Sequence, residues 1–182
     1  MINYLARLIV VSLVALGGIL PQAHAAPRAQ IVADVDAALY QFEHEIGGVH
    51  ELMAQAAGVL VFPSVVKAGA GIGGEYGNGA LLRAGIPIAY YNIVSASIGF
   101  QLGVQVRTVI IAFMTEEALG SFRRKHGWKI GVDGSVTLIA VGVGGSIDTN
   151  QINKPVVGFI LDQKGLMYNL TLEGSKISRI DP

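Results

Sequence analysis

Residues 61–82, VFPSVVKAGAGIGGEYGNGALL, decide how this chain folds. Their segment GAGIGG, residues 69–74, matches the G-x-G-x-x-G pattern of dinucleotide-binding loops. Such a loop must open a helix, whereas Gly77 and Gly79 follow here and disfavour one. It also needs an acidic residue about 20 positions further on to bind the ribose, and residues 90–100 contain none. The pattern therefore does not predict a nucleotide site.

The glycines of this stretch instead indicate a strand. Alternate residues of a strand share one face, and here that face lacks side chains at Gly69, Gly71, Gly73, Gly77 and Gly79. A bare face allows another segment to pack very close, or allows the sheet to bend. We therefore predict an architectural role for these glycines. The dipeptide Asn-Gly at 78–79 is in addition typical of a hairpin turn.

The flanking segments predict an α+β domain, with N-terminal amphipathic helices packed on a glycine-rich, mainly antiparallel sheet with one inserted helix. An apolar stripe with a 3.6-residue repeat predicts a helix over 28–46, and a second short helix follows over 49–57. Thr115 caps the predicted inserted helix, which ends near Lys125. Runs rich in Val, Ile, Tyr and Gly predict strands at 59–62, 68–76, 80–84, 88–99, 101–113, 128–132, 135–144, 156–161 and 166–172.

The first 25 residues read as a signal peptide. One positive residue precedes an apolar run of 13 residues at 8–20, and Ala23-His24-Ala25 offers a cleavage site. The run is short for a membrane span, which needs about 20 residues, so an uncleaved anchor is the alternative. Cysteine is absent, which excludes a lipid-modified cysteine. We expect one domain, residues 26–182, exported and therefore periplasmic or secreted.

Charge and motif content narrow the function. Removing residues 1–25 takes away one arginine and no acid, which leaves 12 Lys+Arg against 13 Asp+Glu. This balance does not favour nucleic acid. His44 and His50 lie six residues apart, so they do not form the i, i+4 pair of a metal-binding helix. We find no nucleophile motif and no acid–base pair, and therefore expect a binding protein without cofactor or metal, not an enzyme.

One dense basic cluster suggests the site. Arg123, Arg124, Lys125 and Lys129 surround Trp128, the single tryptophan. Tryptophan favours membrane interfaces and cations favour anionic bilayers, so the cluster predicts a contact with anionic lipid or phosphate. The alternative is a solvated helix C-terminus, whose dipole cations complement, with the tryptophan in the core.

Three further cations interrupt apolar stretches, and they are Lys67, Arg83 and Arg107. A buried charge needs a partner or a ligand, so we count these residues as secondary lipid-binding candidates. The alternative for each is an outward-facing position on a strand.

Several ordered blocks between about residues 35 and 180 resemble the SYLF domain family. The blocks are Val61-Phe62-Pro63-Ser64, Lys67-Ala68-Gly69, Gly71-Ile72-Gly73-Gly74, Tyr90-Tyr91-Asn92-Ile93, Ser97-Ile98-Gly99, Gln101-Leu102-Gly103, Met114-Thr115, Leu119, Phe122, Gly131-Val132-Asp133-Gly134-Ser135-Val136 and Leu172-Glu173-Gly174. The resemblance implies a compact α+β lipid-binding domain. Eukaryotic members bind phosphoinositides, and some bind and bundle actin.

This chain looks like a bacterial, stand-alone member, because it carries an export signal and neither an SH3 nor a FYVE module. Actin is therefore not an expected partner. We expect non-enzymatic binding of anionic phospholipids at an envelope membrane surface, through headgroups or with a lipid tail held inside the sheet. The alternative is a structural or protein-interaction module of the envelope without lipid dependence, in which the glycine face docks a protein partner or the N-terminal helix.

Overall fold

The computed structural model describes residues 27–139, 146–147, 152–165 and 172–182. The predicted signal peptide lies outside these ranges, as do the end of the strand predicted at 135–144 and nearly all of that predicted at 166–172. The described residues form helices α1 (Arg28–Glu45), α2 (Val49–Gln55) and α3 (Glu116–Arg124) and strands β1 (Gly58–Arg83), β2 (Ile86–Phe113), β3 (Gly127–Lys129), β4 (Thr137–Leu138), β5 (Val156–Gly165) and β6 (Lys176–Ile180).

A very long antiparallel hairpin organises the sheet. β1 and β2 pair along their whole length, from Gly58 opposite Phe113 to Arg83 opposite Ile86. The five short strands predicted in this region are therefore two continuous ones. Irregularities in the register mark where the strands bend, for example between Phe62 and Val65.

The turn of this hairpin is not where the sequence predicts it. Ala84 and Gly85 make the turn with φ values of 50° and 76°, and positive φ at both central residues is typical of a type I′ turn. Asn78 and Gly79 lie inside β1 instead, opposite Asn92 and Tyr91. The prediction of a turn at 78–79 is wrong because the glycine there serves close packing.

The sheet has two halves that share β1 and β2. In one half, residues 105–113 of β2 pair with β5, and β4 adds a parallel strand to β5. In the other half, residues 90–94 of β2 pair with β6, which pairs with β3. Side chains from both halves meet in one apolar cluster, including Phe62, Phe113, Ile93, Trp128 and Ile177. The sheet therefore curls back over itself around a core.

Glycines permit this curl. A Cβ at Gly79 would collide with the carbonyl oxygen of Val61, and a Cβ at Gly77 would lie 2.9 Å from the carbonyl oxygen of Ser64. The start of β1 thus passes directly beside its own end, because the glycines put no side chain in the way. The predicted architectural role is confirmed at these positions.

Helix α1 contributes buried side chains to a second apolar cluster. Ile31, Val35 and Phe42 of α1 are buried in this cluster together with sheet residues such as Leu82 and Phe159. The predicted α+β class is confirmed. No helix among the described ranges is both long and apolar enough to span a membrane.

Candidate functional site

Helix α3 presents two arginines to solvent. The Thr115 hydroxyl accepts a hydrogen bond from the Ala118 amide (3.1 Å), which caps the helix as predicted. Phe122 is buried in the core, whereas Arg123 and Arg124 in the last turn are exposed. Cations there complement the helix dipole, so the location is compatible with a stable helix.

Asp133 orders the basic segment that follows the helix. The Lys125 ammonium donates to Asp133 Oδ1, and the Lys129 backbone amide donates to Asp133 Oδ2, both at 2.8 Å. The Lys125 hydrogen bond, followed by that from Lys129, lowers the pKa of the Asp133 carboxyl below its ordinary 3.8. Lys125 and Lys129 are both exposed, so the aspartate fixes the turn while leaving the lysines at the surface.

Trp128 belongs to the core and not to the surface. Its side chain is 3% exposed, and its ring meets Phe122 edge-on with centroids 5.5 Å apart. Gly134 covers the other side, where a Cβ would lie 2.7 Å from the indole. The prediction that Trp128 lies at a membrane interface is therefore wrong. The alternative, a tryptophan in the core, holds, and Trp128 anchors β3 there.

Strand β6 adds two cations that sequence reasoning missed. Lys176 lies directly opposite Lys129, and a Cβ at Gly127 would be 2.5 Å from Lys176 Cε. Burial raises the pKa of the Tyr91 phenol, while the charges of Arg179 and Arg123 act to lower it. Arg179 lies directly opposite Tyr91 in the β2–β6 ladder, and the centroid of the Tyr91 ring is 4.9 Å from that of Phe122 in α3, so β6 and the end of α3 both lie beside Tyr91.

We call the resulting surface the basic rim. Its members are exposed cations from α3, β3 and β6 and the turns that join them: Arg123, Arg124, Lys125, Lys129, Lys176 and Arg179. Two carboxylates, Asp133 and Glu173, lie in the adjoining turns. The only sequence signal for the β6 contribution was a short run, KISRI, in which Ile177 is the buried anchor.

A pocket of about 300 Å³ opens beside the basic rim. Its lining includes the hydroxyl residues Thr115, Ser121 and Ser135, with Trp128 and Asp133. The pocket thus combines an apolar wall with hydroxyl and carboxylate oxygens.

The three secondary candidates have different locations. Arg83 is exposed and forms an ion pair with Glu116. Lys67 and Arg107 are 5% and 1% exposed, so the outward-facing alternative is wrong for both. Arg107 Nη2 lies 2.8 Å from Glu75 Oε2, and both side chains are almost fully buried. We call Lys67, Glu75, Gln105 and Arg107 the buried polar cluster.

Residues 94–181 match the model of the Ysc84 family, described as "Las17-binding protein actin regulator". No curated protein matches the chain. The matched segment contains every residue of the basic rim. SYLF domains, the Ysc84 family, are of lipid- or actin-binding type and are not known as enzymes. The match over residues 94–181 is consistent with a SYLF domain in this chain.

Proposed function

We propose that the basic rim binds anionic phospholipid headgroups at a membrane surface of the cell envelope, without catalysing a reaction. The observation that carries the proposal is the group of exposed cations at the end of α3 and on β3, Arg123, Arg124, Lys125 and Lys129, with the exposed Lys176 of β6 directly opposite Lys129. The whole chain has equal numbers of acidic and basic residues. The positive charge is therefore a local property of this surface, which suits a local anionic ligand.

The arrangement of the rim favours an anion energetically. Lys129 and Lys176 lie directly opposite each other on neighbouring strands, and like charges in this position are destabilising. A phosphate between them would relieve the repulsion. Each basic side chain near an anionic bilayer contributes about 1 kcal/mol, so the rim as a whole is sufficient for membrane association.

The proposed site differs from the one predicted from the sequence: Lys67, Arg83 and Arg107 lie outside the basic rim, Lys176 and Arg179 are added to it, and the role of Trp128 changes. Trp128 does not contact lipid in this proposal; it holds β3 so that Lys129 faces outward. The pocket beside the rim is lined by the Glu117 and Asp133 carboxylates as well as by hydroxyls, so it suits the neutral hydroxyl part of a headgroup and not the phosphate. We further propose that the protein acts after export, which makes an envelope membrane its target and actin an unsuitable partner.

Vesicle co-sedimentation tests the proposal. The chain should begin at residue 26, because the apolar run at 8–20 would itself partition into bilayers; circular dichroism checks that it is folded. We expect binding to vesicles that contain phosphatidylglycerol, weaker binding at high salt, and none to vesicles of phosphatidylcholine alone.

A matched pair of variants locates the site. Replacing Arg123, Arg124 and Lys129 by Gln should abolish most binding. Replacing Arg83 and Lys154, exposed cations outside the rim, should leave it nearly unchanged. If the folded protein binds no vesicle, the lipid proposal is wrong, and the structural or protein-interaction module takes its place.

A further inference from the structure

We propose that the bent middle of the β1–β2 hairpin enters the acyl layer of the bilayer to which the basic rim binds. We call this part, residues 66–76 of β1 and 94–106 of β2, the apolar bend. The inference deepens the function proposed for the basic rim and rests on it for the choice of a bilayer as the partner. It adds an apolar part to the same membrane-binding surface.

Strand β1 bends sharply within this part. A Cβ at Gly69 would lie 2.8 Å from the Cα of Gly73, whereas four residues of extended strand span about 13 Å. The two glycines therefore meet on the inside of the bend. Ile72, which lies between them in the sequence, is 74% exposed. The bend thus presents a large apolar side chain on its outside.

The outer surface of the apolar bend carries no charge among the described side chains. The sequence from 94 to 106 contains no Asp, Glu, Lys or Arg. Lys67 and Glu75, the charged residues between 66 and 76, are both buried. The large exposed residues of the bend that the structure describes are Val66, Ile72, Tyr76, Val94 and Val104. An exposed apolar patch of this kind marks an interaction site.

Further along the same face of the sheet, the side chains are buried. Residues at even positions from 72 to 80 alternate along β1 and therefore share a face. Ala80 is fully buried in the second apolar cluster, whereas Tyr76 is 40% exposed. This face therefore belongs to the core near the turn of the hairpin and is open to a partner at the bend.

One row of side chains joins the apolar bend to the basic rim. Tyr76 is directly opposite Val94, and Val94 is directly opposite Lys176. Lys176 is in turn opposite Lys129. Directly opposite residues of an antiparallel pair lie on the same face, and all four residues are exposed. The row therefore runs from apolar to cationic across four neighbouring strands.

This order of side chains fits an anionic bilayer. Apolar side chains gain free energy by leaving water for the acyl layer, while cations beside them contact the anionic headgroups. Tyrosine favours the boundary between these two layers, as does the place of Tyr76 beside Val94. A second copy of this chain would also cover the apolar side chains, but it would bring further cations and no anion to Lys129 and Lys176.

A fluorescent label measures whether the bend leaves water. The sequence has no cysteine, so Ile72→Cys offers a single position for the fluorophore NBD, whose emission rises in an apolar medium. All described elements lie within residues 26–182, so the assay uses that chain and circular dichroism checks its fold. With phosphatidylglycerol vesicles we expect the emission to rise severalfold, and nitroxides on the lipid acyl chains to quench it.

The matched control is Ile86→Cys with the same label. Ile86 is 66% exposed and lies at the turn of the hairpin, outside the apolar bend. Its label should show neither the rise in emission nor the quenching. If the chain binds phosphatidylglycerol vesicles but the label at residue 72 behaves like that at residue 86, the inference is wrong and the basic rim stands.

Other results separate the two proposals further. If the label at residue 72 enters phosphatidylcholine vesicles as strongly as phosphatidylglycerol vesicles, the apolar bend stands and the charge-selective rim is wrong. If the chain binds no vesicle, both proposals are overturned.

A pair of uncharged double variants measures the contribution of the bend to affinity. Ile72→Ser with Val104→Ser should weaken binding to phosphatidylglycerol vesicles by about tenfold or more, because each large apolar side chain that leaves water contributes about a factor of ten. Ile86→Ser with Ile88→Ser, also exposed, should leave the affinity nearly unchanged. Equal losses in the two variants would contradict the inference.

Sedimentation velocity tests the second copy as the alternative occupant. We expect the parent chain and the Ile72→Ser, Val104→Ser variant to have the same mass in solution without vesicles. A parent dimer that this variant converts to a monomer, with vesicle binding unchanged, would assign the face to a second copy and overturn the inference.

Discussion

At the scale of single residues, the glycines of β1 differ in what they do. A Cβ at Gly79 would collide with the Val61 carbonyl oxygen, whereas the nearest atom to a Cβ at Gly74 is 3.7 Å away. At Gly79 the neighbouring atom belongs to the backbone, which cannot move aside unless the two parts of the curled sheet separate. The second position has ordinary van der Waals room.

We therefore expect opposite outcomes for two alanine substitutions in the same strand. Gly79→Ala should lower the free energy of unfolding by about 3 kcal/mol or more, because overpacking against backbone forces the sheet to shift. Gly74→Ala should be neutral or slightly stabilising, since it reduces the freedom of the unfolded chain. Urea denaturation measures both. Equal losses would mean that close approach is not the reason for the glycine at 79.

The Asp133 carboxylate gives a second prediction at this scale. Its pKa is lowered by the hydrogen bond from Lys125 and then by that from the Lys129 amide. A lowered native pKa means that the stabilisation is complete above the ordinary value of 3.8 and is lost as the pH falls through the native pKa. Asp133→Asn should therefore flatten the dependence of stability on pH below about 4.

Urea midpoints measured from pH 6 to pH 2 test this expectation. Asp36→Asn, on the exposed side of α1, is the control and should keep the slope of the parent chain. An Asp133→Asn variant with the parental slope would show that the carboxylate does not order the turn.

At the scale of elements, the β1–β2 turn shows how local signals compete. Asn-Gly at 78–79 is the stronger turn signal in the sequence, yet the chain turns at Ala84-Gly85. Ala84 adopts a φ of 50° there, which is unfavourable for a residue with a Cβ. Packing of the two sheet halves thus overrides the local preference.

Ala84→Asn should stabilise the protein by up to about 1 kcal/mol, because asparagine tolerates positive φ better than alanine. The measurement is the midpoint of thermal or urea unfolding. Ala84→Val is the matched opposite, because a β-branched residue is least tolerant of positive φ, and it should destabilise. If Ala84→Asn destabilised the protein, this would contradict a turn in which residue 84 has a positive φ.

The buried ion pair links elements that are distant in sequence. Glu75 lies in the second part of β1, and Arg107 pairs with the first part of that strand, opposite Val65. Removing one partner of such a pair leaves an uncompensated buried charge, at a cost of about 3–5 kcal/mol. Arg107→Met should show a loss of this size.

The double variant Arg107→Met with Glu75→Gln should be more stable than the sum of the two single losses implies. Unfolding free energies of the four proteins form the cycle. Strict additivity would show that the two side chains do not interact in solution.

At the scale of the whole molecule, the sequence predicted local features better than assembled ones. α1 and α3 were predicted within about a residue at each end, because an apolar repeat and a cap are local signals. The Arg123–Lys129 segment was also visible as a run of charges. Lys176 was not, because it reaches this surface only through pairing of β6 with β3.

The burial of Lys67 and Arg107 was also not predictable from the sequence. The bend between Phe62 and Val65 changes which alternate residues of β1 face inward, so no count of positions from the start of the strand places Lys67. The partner Glu75 comes close to Arg107 only when the sheet curls. Sequence reasoning identified the unusual residues, and the fold assigned them to an outer rim and an inner cluster.

The most direct test of the central claim concerns the cations that only the fold brings to the rim. We would measure the affinity of residues 26–182 for phosphatidylglycerol-containing vesicles, with Lys176 and Arg179 both replaced by Gln, beside the Arg83→Gln, Lys154→Gln control. Two lost contacts of about 1 kcal/mol each predict a roughly thirtyfold loss of affinity in the first variant and little change in the control. Equal affinities for the two variants would contradict a basic rim that acts as one lipid-binding surface.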